Sequence, residues 1–549
     1  MVLKSIIRFL NLLGILAIAT SAFSSNIHEQ MTSAEIFETF GSDSIPDYQV
    51  FEVTLPGMRR KRNVDKEFRM SFELNGTKVD LKLKSTEGHL ASKYTPVWLA
   101  ISDPKAYNSI RYEPQPNALT DIGEFRMFHD LSKDAAVVVY KDPEHGLIME
   151  GIVTQSFAIK SLPKRLVNEV LKVGEHVIER PVSKRSMGEF NVEEETSYYA
   201  VFAVEPPPKN AKRSAAVNPA EFYRVKKAYR GCRQYAPPVV YPEILLVLDH
   251  NALRNHTMTQ VLRFVLAFWN GVDMTYASLS RPKVRLNIAG IIVAADDNAT
   301  PYITENASDK FIVNAEGKLL KKIGAYFYKE HARFPFRHYD MVMAMTTATM
   351  CEKGSDPCTV YLGVATIEAA CTLHEYAQKS KAIWSTGIFH FDWNYGGVIT
   401  AAHEAAHLFG VHHDIGFKYG GRNRCNLDDG YAMTPATEYI RHGFKWSRCS
   451  IDDFRKYFSS ADSGCLDNTP LWMKPVAEIL PGRWLTLHGQ CRNDGMEKGC
   501  EVPNVPICYV KGCKAEGSDE CVPNQWQTLL GTKCGDNKFC NSKRLCVKN

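Results

Sequence analysis

The 549-residue sequence predicts an α/β domain with a mixed, mainly parallel sheet, preceded by a mostly β region and followed by a small disulfide-rich domain. Three observations support this division. Short apolar runs alternate with turns before residue 206, strand and helix patterns alternate between 236 and 470, and cysteines replace apolar residues beyond 470. These three patterns are typical of β, α/β and disulfide-stapled domains.

The first 24 residues, 1–24, have the features of a secretory signal peptide. A basic start is followed by an apolar stretch through Ala19 and then by small residues. No later segment supplies the roughly twenty apolar residues that a membrane span needs. We therefore expect a secreted, extracellular protein without a membrane span. Sequons for N-glycosylation agree with secretion and lie at Asn75, Asn255, Asn298 and Asn306.

Residues 25–235 are expected to form a mostly β prodomain. Period-two alternation of apolar residues, as at 48–53, is typical of half-buried strands. From about residue 206 the chain becomes proline-rich and basic, which favours an exposed linker. The dibasic sequences Lys212-Arg213 and Lys226-Lys227 lie in this linker, where a propeptide would be cut.

Residues 236–470 are expected to form the α/β domain. A continuous apolar run before Asp249 is typical of a strand buried on both faces. Strands that alternate with helices indicate a mainly parallel sheet. The predicted elements are strands at 243–249, 284–293 and 341–345 and helices at 258–273 and 398–409.

The segment HEAAHLFGVHHD, which begins at His403, predicts a catalytic zinc site. On a helix His403 and His407 share one face and can bind one ion, and Glu404 can reach a metal-bound water. Gly410 permits the positive φ that ends the helix, so that His413 returns as the third ligand. Three protein ligands leave one zinc position for water, as in catalytic zinc sites.

Two details of the spacing refine this prediction. Counting three residues from Gly410 selects His413 as the ligand and leaves His412 as an exposed neighbour. Met433 lies twenty residues after His413, where a methionine turn beneath the zinc is expected. A lone methionine is more often ordinary core, but in this position we interpret Met433 as the turn methionine.

The fifteen cysteines are unevenly distributed. In a secreted protein, the groups of six and eight predict three and four disulfides, with a pairing that the sequence leaves open. Cys232 is left over. The first group is Cys351, Cys358, Cys371, Cys425, Cys449 and Cys465, and the second is Cys491, Cys500, Cys508, Cys513, Cys521, Cys534, Cys540 and Cys546.

Together these features resemble a reprolysin-type (adamalysin-like) metzincin. Asp414 directly after the third histidine is typical of that group, whereas an astacin would have tyrosine at the position of Pro435. Within the group the chain is similar to ADAMTS-like secreted arthropod metalloproteases of saliva or venom, through WSRCS at 446–450 and GCLDNTP at 464–470. No W-S-x-W-S thrombospondin repeat follows, so matrix anchoring by such repeats is not implied.

The resemblance implies two further metal interactions. Family members hold a structural calcium, and the matching positions are Glu243, Asp340, the carbonyl of Cys465 and Asn468. Taken singly, the two carboxylates are more often surface or capping groups. Propeptides of the group can also place a thiolate on the zinc, and Cys232 is a candidate donor. The alternative is a free or intermolecularly paired thiol.

We therefore expect a secreted zinc-dependent endopeptidase, made as a zymogen, with Glu404 as the general base. Its substrates would be extracellular or host proteins, such as matrix or plasma proteins, and the resemblance implies that they pair with an edge strand at 359–367. The tail at 471–549 resembles a disintegrin-like domain, but it lacks Arg-Gly-Asp, so integrin binding is not supported.

Two alternatives to the cleavage of other proteins are open: a binding protein whose protease domain is vestigial, and proteolysis directed only at removal of the chain's own prodomain. The net charge of +5 is mild and scattered, and it gives no reason to expect a nucleic-acid partner. A proteolytically weak binding or anti-haemostatic protein, acting through its cysteine-rich tail, is the competing interpretation. Loss of Glu404 or of a histidine ligand would favour that alternative, and all four residues are present.

Overall fold

A computed structural model of the protein describes three regions in the order that the sequence predicts. Among the described residues, none of the helices is both long and apolar enough to cross a membrane. The described residues are 16–23, 26–56, 67–74, 76–86, 89–142, 146–163, 165–166, 194–205, 208, 211–212, 236–308, 311–313, 317–351, 358–372, 382–417, 421, 423–437, 440–470, 482, 485–524, 528–541 and 544–548.

The N-terminal region is a closed β-barrel, which agrees with the predicted mostly β structure. Its strand order is β1-β2-β11-β10-β9-β8-β7-β4-β3. In β3 buried positions alternate with more exposed ones, because successive side chains point to opposite faces of the sheet. The barrel strands are β1 (Leu16–Phe23), β2 (Tyr48–Pro56), β3 (Glu67–Leu74), β4 (Thr77–Ser85), β7 (Glu124–Asp130), β8 (Ala135–Asp142), β9 (Gly146–Thr154), β10 (Phe157–Ser161) and β11 (Glu194–Ala203).

Two short helices accompany the barrel, at Ser33–Phe40 and Ala118–Asp121. The first begins at a capping box, in which Thr32 and Glu35 satisfy each other's backbone N–H groups. Strand β1 lies within residues 1–24, and the role of that segment as a signal peptide stays a prediction.

The α/β domain is built on a sheet whose four central strands are parallel. Their order is β15-β13-β18-β22, and β21 pairs antiparallel with β22 at one edge. Every residue of β13, β15 and β18 is buried, which confirms the prediction of strands covered on both faces. The strands are β13 (Glu243–Leu248), β15 (Asn287–Ala294), β18 (Met341–Thr346), β21 (Gly363–Ala365) and β22 (Thr386–His390).

The other edge of this sheet is formed by the N-terminal region. Strand β5 (Val97–Ser102) pairs in parallel with β15, and β6 (Ile110–Pro114) pairs antiparallel with β5. We expected residues 25–235 to form a prodomain ahead of the α/β domain. The structure instead places this hairpin in the sheet of the α/β domain, because its apolar residues complete that domain's core.

A long helix, Met258–Ala277, lies between the barrel and the α/β sheet. The helix begins at a capping box formed by Thr257 and Gln260. Fifteen of its 20 residues are buried, so it is enclosed on more than one face. Tyr140 of the barrel donates a hydrogen bond to Arg263 O at 2.8 Å on this helix. Tyr276 donates to Ala402 O at 2.8 Å on the opposite side.

The remaining described helices of this domain are Asn251–Arg254, Pro301–Thr304, Gly317–Lys329, Val398–Leu408 and Arg448–Phe458. Short strands complete it, at β12 (Val239–Val240), β14 (Lys283–Val284), β16 (Ala307–Ser308), β17 (Phe311–Val313), β19 (Thr349–Cys351) and β20 (Val360–Tyr361).

The C-terminal region is small and stapled by disulfides, as the cysteine count predicts. It contains the helix Leu487–Asn493 and two three-stranded sheets. Four disulfides link Cys491–Cys513, Cys500–Cys521, Cys508–Cys540 and Cys534–Cys546. The strands are β23 (Lys498–Cys500), β24 (Gly512–Lys514), β25 (Val522–Pro523), β26 (Lys533–Gly535), β27 (Lys538–Cys540) and β28 (Cys546–Lys548).

Candidate metal centre

The helix Val398–Leu408 positions the first two histidines of the motif. Small alanine side chains fill its buried face, which lets the helix pack closely against the sheet. The helix ends where Gly410 adopts φ +76°, and Gly410 N donates to His407 O at 2.8 Å. This left-handed residue turns the chain back toward the helix, as predicted from the sequence.

Three imidazoles converge at this turn. The Nε2 atoms of His403, His407 and His413 lie 3.1 Å from one another in all three pairs. Ligand atoms of a tetrahedral zinc at about 2.0–2.1 Å would be separated by about 3.3 Å. The spacing of the three nitrogens therefore fits a single zinc ion.

Backbone carbonyls orient two of these rings. His403 Nδ1 lies 2.7 Å from Ala432 O, and His407 Nδ1 lies 2.7 Å from Val411 O. Because a carbonyl only accepts, each Nδ1 must donate, and the lone pair is left on Nε2. Burial, and then the nearby His413, hold the pKa of His407 well below its ordinary value, so its imidazole is neutral. A neutral imidazole is the form that binds metal.

The neighbouring His412 lies outside this cluster, as expected. Its side chain is 60% exposed and its Nδ1 lies 3.5 Å from Asp453 Oδ2. The hydrogen bond to Asp453 raises the pKa of His412, whereas metal binding needs a neutral ring. The structure thus brings His413, the histidine counted from Gly410, into the cluster and leaves His412 outside it.

Met433 is fully buried in the turn beneath the histidines. Asp414 N donates to Met433 O at 3.0 Å, and the Asp414 carboxylate accepts from Ser447 Oγ at 2.8 Å. Burial raises the pKa of Asp414 to about 7. Ser447 also caps the helix Arg448–Phe458. Asp414 thus ties the metal-binding loop to the methionine turn and to the next helix, a role that sequence analysis missed.

Glu404 is buried beside the edge strand β21. A Cβ at Gly363 would come within 2.6 Å of the Glu404 carboxyl carbon, so only glycine leaves room for this carboxylate. The edge strand predicted at 359–367 is present as β20 and β21. Glu404, the expected general base, and the expected substrate-pairing strand are therefore in direct contact.

Residues 211 and 212 of the linker contact both this edge strand and the segment after Met433. Lys212 forms a parallel bridge with Tyr361 and an antiparallel bridge with Ala436, three residues after Met433. Thr437 Oγ1 donates to Ala211 O at 3.2 Å. Ala211 is only 3% exposed, so the expectation of an exposed linker is wrong for this part of it. Composition could not reveal the burial, because it comes from contacts with residues far along the chain.

The residues expected to bind calcium lie together where β13 and β18 begin. Glu243 and Asp340 are 2% and 3% exposed, and Asp340 Oδ2 accepts from Glu243 N at 2.9 Å. Asn468 Nδ2 donates to the Glu243 carboxylate. Cys465 is held nearby by its disulfide with Cys371, whose N donates to Asp340 O at 3.3 Å. Burial and the charge of Glu243 raise the pKa of Asp340 well above its ordinary value.

Three disulfides support the metal-binding domain, as the group of six cysteines predicts. They are Cys351–Cys358, Cys371–Cys465 and Cys425–Cys449. The last of these joins the loop after the third histidine to the helix Arg448–Phe458.

The other predicted sites are only partly visible. Cys232 and Asn75 lie outside the described residues. Asn255 and Asn298 are exposed, whereas Asn306 is partly buried and its Nδ2 donates to Tyr302 O at 2.8 Å. Glycosylation at any of these positions stays a prediction.

Comparisons with known proteins agree with this geometry. Residues 263–414 match the family described as Metallo-peptidase family M12B Reprolysin-like. "A disintegrin and metalloproteinase with thrombospondin motifs like" of Bombyx mori is 28% identical over 506 residues, which cover 86% of this chain and 71% of that protein. "A disintegrin and metalloproteinase with thrombospondin motifs 16" of Homo sapiens is 27% identical over 317 residues, which cover 56% of this chain but 23% of that protein.

Two solved structures overlap with the chain at low similarity. Metalloproteinase-II from Bacteroides fragilis has a TM-score of 0.33 at 11% identity and covers 72% of this chain and 92% of its own. Archaemetzincin from Methanopyrus kandleri has a TM-score of 0.24 at 11% identity and covers 40% and 95%. These overlaps are too low to support an argument. The reprolysin-like match over residues 263–414, the ADAMTS-like relatives and the three converging histidines together support a zinc metalloendopeptidase of the reprolysin-type metzincin kind.

Proposed function

We propose that the protein is a secreted endopeptidase, made as a zymogen, that cleaves extracellular or host proteins with Glu404 as general base. The observation that supports this most directly is the trio of Nε2 atoms 3.1 Å apart with Glu404 on the same helical turn. Secretion is supported by seven disulfides among the described residues, since disulfides persist in oxidising compartments.

The chemistry divides between the metal and the chain. Zinc held by His403, His407 and His413 would supply an acidified water and polarise the scissile carbonyl. Glu404 follows His403 directly and is buried beside the histidines, so its carboxylate can take the proton of the attacking water. The same carboxyl group can then protonate the leaving amine. No covalent enzyme intermediate is needed, and no serine or cysteine nucleophile is assigned.

The substrate backbone is proposed to pair with the edge formed by β20 and β21. A strand at the edge of a sheet has unpaired N–H and C=O groups that an extended peptide can bind. Gly363 in this edge lies against Glu404, so a peptide paired there would pass close to the general base. The identity of the substrate side chains is not part of this proposal.

The linker contact supports the zymogen part of the proposal. Lys212 N donates to Val360 O at 2.9 Å, and Leu362 N donates to Lys212 O at 2.9 Å. These are edge groups that a substrate backbone would use. While residues 211–212 hold them, an incoming peptide would have to compete for the same bonds. We therefore propose that the linker blocks substrate binding in the uncut protein. This proposal does not depend on a bond between Cys232 and the zinc.

We also propose a structural calcium at the Glu243 and Asp340 pair. Two buried carboxylates side by side repel each other, and a cation with oxygen ligands would offset that repulsion. Asn468, whose amide contacts the Glu243 carboxylate, and the Cys465 carbonyl are the remaining expected ligands. These residues form a cluster separate from the three histidines, so calcium would act on stability rather than on the chemistry.

The proposed function is tested by metal removal on protein whose linker has been cut. Treatment with a zinc chelator should abolish cleavage of gelatin or fibrinogen, and one equivalent of added zinc should restore it. Calcium added without zinc should leave the protein inactive. Cleavage that survives complete zinc removal would contradict the proposal.

A further inference from the structure

We infer that the N-terminal region is a lasting subunit of the enzyme, which stays bound to the metal-binding domain after the linker is cut. The inference rests on the proposed zymogen processing, since it describes the state that follows cleavage, in which residues 211–212 leave the strand edge while contacts elsewhere hold the rest of the N-terminal region in place. A propeptide that merely blocks the cleft would leave once severed. Here the N-terminal region contributes a sheet edge, core side chains and buried polar partners to the other domain.

The first contribution is backbone pairing along the sheet edge. Strand β5 runs parallel to β15, with Val97 opposite Ile291 and Ala100 opposite Ala294. Ile291 N donates to Pro96 O at 2.9 Å. Without β5 and β6, these groups of β15 would lose their partners at an open sheet edge, which is a costly and association-prone surface.

The second contribution is an aromatic side chain that fits a notch in β15. Trp98 is 3% exposed and lies over Gly290. A Cβ at Gly290 would come within 2.6 Å of the indole ring, so the glycine leaves the space that the tryptophan fills. The indole also packs edge-on against Phe334, with centroids 5.1 Å apart. The core of the metal-binding domain is thus completed by a residue from the N-terminal region.

The third contribution is a set of partners for a buried ion pair. Arg333 and Glu330 pair at 2.5 Å, and both side chains are fully buried. Asn108 Nδ2 donates to Glu330 Oε1 at 2.5 Å, and the Tyr112 ring lies 4.7 Å from the Arg333 guanidinium. A buried charge pair that loses its hydrogen-bonding neighbours is strongly destabilised. Release of the hairpin would therefore leave this pair partly unsatisfied.

A fourth contact lies on the other side of the same interface. His89 Nε2 lies 2.8 Å from Asp273 Oδ2, and Asn287 Nδ2 donates to His89 O at 3.0 Å. All three side chains are buried. The N-terminal region is therefore held on the metal-binding domain at the β5–β6 hairpin and at His89, in addition to the contact of Tyr140 with the helix Met258–Ala277.

The experiment uses full-length protein with a recognition sequence for a specific protease placed at 220–225. The background is Glu404→Ala, so that self-digestion cannot affect the result and binding is scored independently of the proposed catalysis. After complete cutting, size-exclusion chromatography at about micromolar concentration should show both fragments in one peak. Separation of the fragments under these native conditions would overturn the inference.

Variants at the notch test the contact itself. Gly290→Ala should shift the cut protein toward separated fragments, because the new methyl group displaces the indole. Trp98→Ala should also increase fragment separation. The double variant should separate less than the sum of the two single effects predicts, because a small side chain at position 98 leaves room for the methyl group at position 290. Tyr94→Ala is the matched control, since Tyr94 is an exposed aromatic residue on the same segment. Fragments that stay joined equally well in all four variants would contradict the role assigned to Trp98.

Discussion

Lys212 is joined through its backbone to the strand edge around Tyr361. Lys212 N and Lys212 O bond to Val360 and Leu362, the two neighbours of Tyr361, each at 2.9 Å. The Lys212 ammonium also lies 5.3 Å from the centroid of the Tyr361 ring. A residue of the linker thus uses the hydrogen-bonding groups that an extended substrate is proposed to use.

Replacing Lys212 with proline should weaken latency. Proline lacks the N–H that bonds to Val360 O, and loss of one such bond costs about 1 kcal/mol, or roughly a five-fold rise in open protein. Peptidase activity of the uncut protein should rise by about that factor. Lys212→Ala is the matched control, because it keeps both backbone bonds and should change activity less. Equal activity of the proline variant and wild type would contradict the proposal that the linker blocks substrate binding.

Gly363→Ala should reduce catalysis without loss of zinc. The methyl group would overlap the Glu404 carboxylate and displace the general base. Misplacement of a general base typically costs about 10²–10⁴-fold in rate. The measurement is kcat/KM on a peptide together with bound zinc by mass spectrometry. Full activity with normal zinc content would show that Gly363 and Glu404 are not in the proposed relationship.

Asp340→Asn should distinguish two effects on the melting temperature: repulsion between the Glu243 and Asp340 carboxylates, and stabilisation by bound calcium. In calcium-free buffer the substitution removes one of two adjacent buried carboxylates, so the melting temperature should rise or stay level. Added calcium should raise the melting temperature of wild type but not of the variant. Calcium responses of equal size in both proteins would place the ion elsewhere.

His89→Gln should change the dependence of stability on pH. Burial opposes the charge of His89, but Asp273 and the hydrogen bonds more than offset it, so the pKa is raised above 6.5. The groups that face His89 are Asp273, Arg285 and the carbonyl of Thr86, and His129 lies beyond Asp273. The stabilisation from a raised histidine pKa is fully present below pH 6.5 and is lost as the pH rises through the folded-state pKa.

The unfolding free energy of wild type should therefore exceed that of His89→Gln, and the difference should be larger at pH 6 than at pH 9. Burial lowers the pKa of His129, and the charge of His89 lowers it further, so as the pH falls the variant loses less stability through His129 than wild type does, which offsets part of the difference. His331→Gln provides the control, since His331 is exposed and distant from Asp273 in the chain. A deficit that does not change with pH would show that His89 is uncharged in the interface.

The metal centre could be predicted from the sequence because its geometry is local. His403 and His407 are one helical turn apart, and Gly410 then determines where His413 returns. These relationships span eleven residues and depend on backbone geometry alone. The buried strands of the sheet were predicted for a similar reason, since burial on both faces leaves a continuous apolar run.

The relationships that were missed connect distant parts of the chain. The segment 97–102 has the composition of a strand, but nothing in it specifies that its partner lies at 287–294 rather than in the barrel. Likewise, the linker around Ala211 is polar and proline-rich. Its burial depends on contacts with the segments at Tyr361 and Ala436, more than a hundred residues away. Pairing across such separations depends on the assembled surfaces, which local patterns do not encode.

In the proposed mechanism, three histidines hold the zinc ion that activates water, and Glu404 is the general base of peptide hydrolysis. The most direct measurement compares wild type and Glu404→Ala, both with the linker cut and both loaded with one equivalent of zinc. We predict equal zinc content and a loss of at least about 10²-fold in gelatin cleavage by the variant. Equal digestion by the two proteins at equal zinc content would contradict the mechanism.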